Sequence, residues 1–346
     1  MPRTRAALFL LAALAAPSLL AVVASGCDAA GPTAETPGPV AVAVRVPEGF
    51  GPLPVPPQNP LLADRVALGE RLFFDPILSR DVSVSCGTCH LPQQAFSDGL
   101  PRSVGVGGRV GLRNAPSLLN VAYRKTLFWD GGALFLESQA LVPLEDAHEM
   151  DLPVETALDR LREHAEYPAL FAEAFGGGGP TVQTLTYALA AFQRTLVSAP
   201  TALDRHRAGD ADALAADARQ GLALFETHCA SCHAGPLLTS DGFENNGAAV
   251  TDADPGRARV TFSDADRGTF RVPSLRAVAR TAPYFHDGRF ATLADVVGHY
   301  DRGGDATPGQ SARVRPLRLT EAERDRLVAF LRTLDDQPAP VVRSAR

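Results

Sequence analysis

Two short stretches, Cys86-Gly87-Thr88-Cys89-His90 and Cys229-Ala230-Ser231-Cys232-His233, repeat one pattern 143 residues apart (229 − 86). Two thiols separated by two residues and followed at once by an imidazole form the attachment signature of a c-type haem. The thiols make thioether bonds to the porphyrin vinyl groups, which places the adjacent histidine as the proximal iron ligand. A zinc site could use paired Cys-x-x-Cys but has no need of a histidine after both. A thioredoxin-like dithiol expects a βαβ context that this sequence lacks. The expected cofactors are two covalently bound haem c groups, one on Cys86, Cys89 and His90, the other on Cys229, Cys232 and His233.

The fifth cysteine, Cys27, belongs to another signal. Residues 1–5 are basic, residues 6–24 carry no charge, and Ala24-Ser25-Gly26-Cys27 follows. The pattern reads as an export signal over residues 1–26, with Cys27 as the lipidation site of a bacterial lipoprotein. An uncleaved anchor is the alternative, since an apolar run of this length nearly spans a bilayer. Cleavage removes two arginines, so the formal charge of −6 becomes −6 − 2 = −8. Either reading places the rest of the chain outside the cytoplasm, in the periplasm, held to a membrane only through its N-terminus. The acidic balance and scattered basic residues give no basis for a nucleic-acid partner.

The elements that must hold two haems are mostly α, with long loops. Residues 27–59 form a Pro-rich extended tether. Asn59-Pro60 is expected to cap a helix carrying Leu62, Val66 and Phe73, which Asp75-Pro76 stops. Further helices are expected near 153–175, 181–199 and 211–228, and a last one after the capping box Thr320-x-x-Glu323. The halves also repeat each other. Gly69-x-x-Leu72-Phe73 matches Gly221-x-x-Leu224-Phe225, and Ser97-Asp98-Gly99 matches Ser240-Asp241-Gly242. Pro116-Ser117-Leu118 matches Pro273-Ser274-Leu275, and Phe128-Trp129-Asp130-Gly131 matches Phe285-His286-Asp287-Gly288. The reading is two cytochrome c-like haem domains related by internal duplication, at residues 60–203 and 204–346.

The face opposite each histidine decides the chemistry of its haem: a strong sixth ligand gives electron transfer, an open position admits a small oxidant. Methionine is the usual sixth ligand, yet the chain has only Met1 and Met150. The repeat offset of 157 (286 − 129) places Pro143, which cannot ligate, opposite Tyr300. An open first haem and a capped second one follow, with His299 as the rival to Tyr300. The first half also offers polar candidates in Glu137, Gln139, Glu145, Asp146, His148 and Glu149.

Over residues 60–335 these features resemble the bacterial di-haem cytochrome c peroxidase and MauG family. The carriers are FSDG (96–99), RNAPSLLN (113–120), LFWDGG (127–132), PLEDAHEM (143–150) and TAPYFHDGRFATL (281–293), together with the two haem motifs. The resemblance implies that the haem on His90 is the peroxide-binding one, with Gln139, Pro143 and Glu149 lining its distal side and Glu149 as acid/base. It implies Trp129 as the electron relay between the haems, and Asn114, Thr281 and Pro283 as a calcium site.

Two departures from the family pattern stand out. Many members carry a histidine on the loop after the first haem motif that caps the peroxide haem until activation; here Val106 stands there, and the possible substitute His148 is disfavoured because it adjoins Glu149. A resting five-coordinate first haem is therefore expected. Tyr300 replaces the methionine of typical peroxidases, as in MauG-like members, and an anionic phenolate stabilises higher iron oxidation states. In MauG a tryptophan just before the second haem motif reaches the protein substrate; Thr227 occupies that position here. The leading expectation is a peroxidase taking hydrogen peroxide as acceptor and a small electron-donor protein, a cytochrome c or cupredoxin, as reductant. Oxidative maturation of a partner protein and plain electron transfer are the alternatives, and family members are often homodimers.

Overall fold

The computed structural model describes residues 38–251 and 253–335; Cys27 and the export signal lie outside them. In the first half, α1 (Ala63–Phe74) leads to α2 (Cys86–Cys89), α3 (Leu136–Gln139), α4 (Leu141–Glu145), α5 (Val154–Glu163), α6 (Tyr167–Ala174) and α7 (Val182–Arg194). The second half carries α8 (Ala202–Arg207), α9 (Ala216–His228), α10 (Ala258–Thr261), α11 (Leu293–Asp301) and α12 (Glu321–Arg332). A two-residue antiparallel pair, β1 (Phe243–Glu244) with β2 (Phe270–Arg271), is the sheet among the described residues. The expected mostly α duplication is what the chain adopts.

Each half is built on one close crossing of two helices. A Cβ on Gly69 of α1 would lie 1.9 Å from the Ala188 carbonyl oxygen of α7. A Cβ on Gly221 of α9 would lie 2.0 Å from the Arg326 carbonyl oxygen of α12. Glycine at both places lets the backbones touch, and an aromatic pair packs beside each crossing: Phe73 with Phe192 at 5.1 Å, Phe225 with Phe330 at 5.0 Å. The repeated Gly-x-x-Leu-Phe is thus a helix-crossing signal that sits ahead of each haem motif. One core runs from Leu68 to Leu196 with Ala277 added, the other from Leu203 to Leu334.

Several boundaries differ from the sequence expectation. Asn59 is not a helix cap: α1 starts at Ala63, and the buried Asn59 amide instead donates to Glu137 Oε1 at 3.1 Å and to the Tyr187 carbonyl at 3.0 Å. The stretch expected as one helix near 153–175 is two, broken at 164–166. The described part of the tether is extended but docked. Val42 N donates to Leu61 O at 2.9 Å, and Val42, Val44 and Leu53 pack on Leu61, Val66 and Ala191. Phe50 is buried against Tyr123 and under the Arg276 guanidinium. Prolines keep this segment extended, while the apolar residues between them fasten it to the body.

Candidate functional site

Each haem motif folds so that its histidine points one nitrogen at the backbone. His90 Nδ1 lies 2.8 Å from the Phe96 carbonyl and His233 Nδ1 lies 3.1 Å from the Leu238 carbonyl. A carbonyl only accepts, so Nδ1 carries the proton and the Nε2 lone pair is left for iron. Burial pulls both imidazoles below their ordinary pKa, His233 to about 4, which keeps them in the neutral ligating form. The four motif cysteines are unpaired. Burial, with a contribution from Glu149, pushes the free Cys86 and Cys89 thiols up to about 12 and about 11.

Around the second motif lies a large cavity whose wall includes Cys229, Cys232, His233 and Tyr300, with apolar Phe225, Leu293, Val297, Leu327 and Leu331. Two thiols, a neutral imidazole and an apolar wall suit a thioether-bound porphyrin. The neighbours His299 and Tyr300 have separate fates at the end of α11. His299 is fully buried; its Nε2 donates to the Asn246 carbonyl at 2.9 Å and its Nδ1 accepts from Arg302 Nη2 at 3.1 Å. Neither nitrogen is left for a metal. Tyr300 faces the cavity, its pKa raised by burial, with the Asn246 side chain hydrogen-bonded to it. Nothing in the sequence marked Asn246, which occupies both neighbours.

The first site is organised by the segment after α4. Ala140 joins α3 to α4 in helical conformation, so Gln139 and Pro143 sit four residues apart on one face. Met150 N donates to the Pro143 carbonyl at 3.1 Å, folding Glu149 back toward that face. Burial, with the Asp146 charge, raises the Glu149 carboxyl to about 7. Glu149 is nevertheless exposed to solvent as a whole residue. Val106 is buried and its N–H donates to the Glu149 carbonyl at 2.8 Å. Gly105 is required there, since a Cβ would lie 2.1 Å from the His148 carbonyl oxygen. His148 itself is exposed, 3.5 Å from Asp146. Arg109 ion-pairs with Asp151, which also accepts from Arg80 Nη2 at 2.9 Å, so the Val106 loop is fastened on both sides of Glu149.

Trp129 connects the halves. Its indole Nε1 donates to the Asn114 carbonyl at 2.8 Å, and it lines the second cavity from the first half. Asn114 N donates to His286 O, and Arg271 N donates to Trp129 O, both at 2.7 Å. These partners match through the repeat offset, 271 − 114 = 286 − 129 = 157. Asn114, Thr281 and Pro283 share the cavity wall, but the Asn114 amide nitrogen is bound to the Leu100 carbonyl and the Thr281 hydroxyl to the Val278 carbonyl. No group of three His, Cys, Asp or Glu suited to a metal ion occurs among the described residues. Any cation there would rest on neutral oxygens.

Residues 63–212 match the family described as di-haem cytochrome c peroxidase, and residues 218–335 match the cytochrome c family. The methylamine utilization protein MauG of Methylorubrum extorquens is 43% identical over 293 residues, 84% of this chain and 83% of that protein. The cytochrome-c peroxidase IdrP1 of Denitromonas iodatirespirans is 38% identical, over 82% of this chain and 84% of its own. Among solved structures, a MauG-like protein associated with microbial copper homeostasis superposes with a TM-score of 0.81 at 33% identity, over 86% of this chain and 96% of that one. The di-haem peroxidase BthA from Burkholderia thailandensis gives a TM-score of 0.72 at 27% identity, over 87% of this chain and 95% of its own.

Proposed function

From the premise that this chain belongs to the di-haem cytochrome c peroxidase and MauG family and carries two haem c groups, we propose that it reduces hydrogen peroxide to water in the periplasm, with electrons from a cytochrome c or cupredoxin. The observation that carries the reading is Glu149: a carboxyl raised to about 7, held by its backbone carbonyl to a loop whose Val106 cannot ligate. The haems supply the redox capacity, passing two electrons to each peroxide, which takes up two protons to give two waters. Glu149 takes a proton from one peroxide oxygen and returns it to the other, the leaving oxygen. Gln139 orients the peroxide through its amide, and Pro143 keeps the space over the first haem free of a ligating side chain. Trp129 carries electrons between the halves, and Tyr300 caps the second haem. A calcium ion at Asn114, Thr281 and Pro283 and the lipid anchor at Cys27 belong to the same proposal, as does the division at residue 203.

Steady-state peroxide reduction with a reduced cytochrome c, without prior reductive activation, is the test. Turnover no higher than that of free haem would remove the reading. Tyr300 favours a second one, oxidation of a partner protein's side chains in the manner of MauG; slow peroxide turnover with efficient oxidation of a bound protein would support it. A plain electron carrier predicts two low-spin haems, so a high-spin ferric signal in the resting protein excludes it. Tyr300→Phe is expected to alter only the low-spin EPR and optical signals, leaving the high-spin haem as it was. An unchanged low-spin signal would exclude Tyr300 as a ligand.

A further inference from the structure

Two arginines are buried in the second half of the site with one carboxylate between them. The side chains of Arg124 and Arg271 are 6% and 7% exposed. Arg124 Nη1 donates to Asp241 Oδ1 at 3.1 Å, while Arg271 Nη1 lies 3.8 Å from the same oxygen and has no hydrogen-bond partner. Arg271 Nε is fixed on the Phe128 carbonyl at 3.1 Å, which holds the guanidinium in place. The group therefore has a surplus positive charge and a spare buried donor. Burying such a charge is unfavourable unless an anion completes it.

Both arginines line the cavity that contains Cys229, Cys232, His233 and Tyr300. Two further arginines on this wall are already engaged: Arg276 with both Asp204 oxygens and the Pro236 carbonyl, Arg313 with Glu244. The porphyrin that attaches to Cys229 and Cys232 brings two carboxylates of its own. We propose that Arg271, assisted by Arg124, is the propionate-binding cradle of the second haem, and that Asp241 sets how much of that positive charge remains for the propionate. An arginine suits this role because its planar fork binds a carboxylate through parallel N–H donors. Burial and the like charge of Arg124 lower Arg271 to about 9 in the absence of that carboxylate, and a propionate in the cradle reverses this. Arg271 also donates its backbone N–H to Trp129 O, so the cradle is tied to the indole segment. The inference requires the second haem but not peroxidase activity, and fails independently of it.

The test uses the full-length, haem-loaded protein with Arg271→Gln, Arg271→Lys and, as a comparison, Arg276→Gln. The readouts are the propionate bending band in resonance Raman and the second-haem midpoint potential as a function of pH. In Arg271→Gln the band of one haem shifts. The potential moves negative, because a positive charge that favoured the added electron is gone, and becomes pH-dependent as the propionate titrates. Arg271→Lys keeps the charge but loses the fork, giving a shifted band and a smaller change in potential. Asp241→Asn moves the potential the other way. An unmoved band and potential in Arg271→Gln would overturn the proposal, as would equal shifts in Arg276→Gln. Should Arg271→Gln fail to load haem, a wild-type band in Arg271→Lys overturns it and a shifted band supports it.

Discussion

Replacing Glu149 with glutamine is expected to lower kcat/KM for hydrogen peroxide by about 10²- to 10⁴-fold, the usual contribution of a positioned acid/base. Both haems should remain attached with little change in their spectra, because Glu149 lies outside both haem-attachment motifs. Only the carboxylate can accept the peroxide proton. With its carboxyl raised to about 7 by burial and Asp146, the wild-type rate should climb with pH through that region and then level off. Glutamine does not titrate, so this limb should vanish from the pH profile of the variant. Its survival would assign the proton to another group. The sign for stability is opposite to that for activity. A carboxyl whose folded pKa lies above its unfolded value of about 4.3 becomes costly to the fold as pH rises between the two. Glu149→Gln should therefore be no less stable than wild type at pH 8. Val106 and the Arg109–Asp151 pair hold the Glu149 segment in place.

Asp130→Ala is expected to destabilise the protein by about 1–3 kcal/mol, the cost of leaving buried donors of Arg113 and Gly132 without their acceptor. The Asp130 carboxylate is fully buried, 2.8 Å from Arg113 and 2.6 Å from Arg259, and accepts from Gly132 N at 3.0 Å. Arg113 continues to Asp254 through two bonds at 2.8 and 2.6 Å, so the network joins residues 113–132 to residues 254–259. Arg259 is largely exposed and can return to water, so the loss falls on Arg113 and the Gly132 N–H. Burial alone would raise the Asp130 pKa, but the two arginines overcome it and hold the carboxyl below its ordinary value. Its contribution is therefore fully present above about pH 4, the unfolded carboxylate range, and is lost as pH falls through the lower folded value. Urea denaturation at pH 7 and near pH 3 should show a large difference from wild type that shrinks in acid. A difference below about 1 kcal/mol at pH 7, the range of exposed pairs, would remove the network from the account.

What the sequence makes legible here is local and covalent. The haem motifs need only five contiguous residues, and the glycine and aromatic of each helix crossing recur at fixed spacing. Long-range choices are not written at one position. The Asn246 carbonyl that occupies His299 Nε2 lies 53 residues upstream. Asn59 resembles a helix cap because caps and buried amides use the same side chain, and only Glu137 and Tyr187 distinguish them. The tether was read from its prolines, whereas Val42, Val44 and Leu53 between them determine that it docks. The repeat itself slips: His90 reaches a carbonyl six residues on, His233 one five residues on. Arg271 was invisible because an unpaired donor can be recognised only when its surroundings are known.

The crossed bonds between Asn114 and His286 and between Arg271 and Trp129 have an evolutionary reading. Each half donates from one position and accepts at another, and the same two positions serve in both. Such a contact is isologous: a single half would complement a second copy of itself about a two-fold axis. A symmetric dimer of a one-haem unit, made permanent by fusion, would contain this same pair of bonds. Fusion removes the requirement that both copies stay identical. One copy could keep an indole at the shared position while the other took a histidine stacked on Phe270 at 3.8 Å, and one could take a proline where the other took a tyrosine. Two haem sites with unlike surroundings are what a strictly symmetric dimer could not encode.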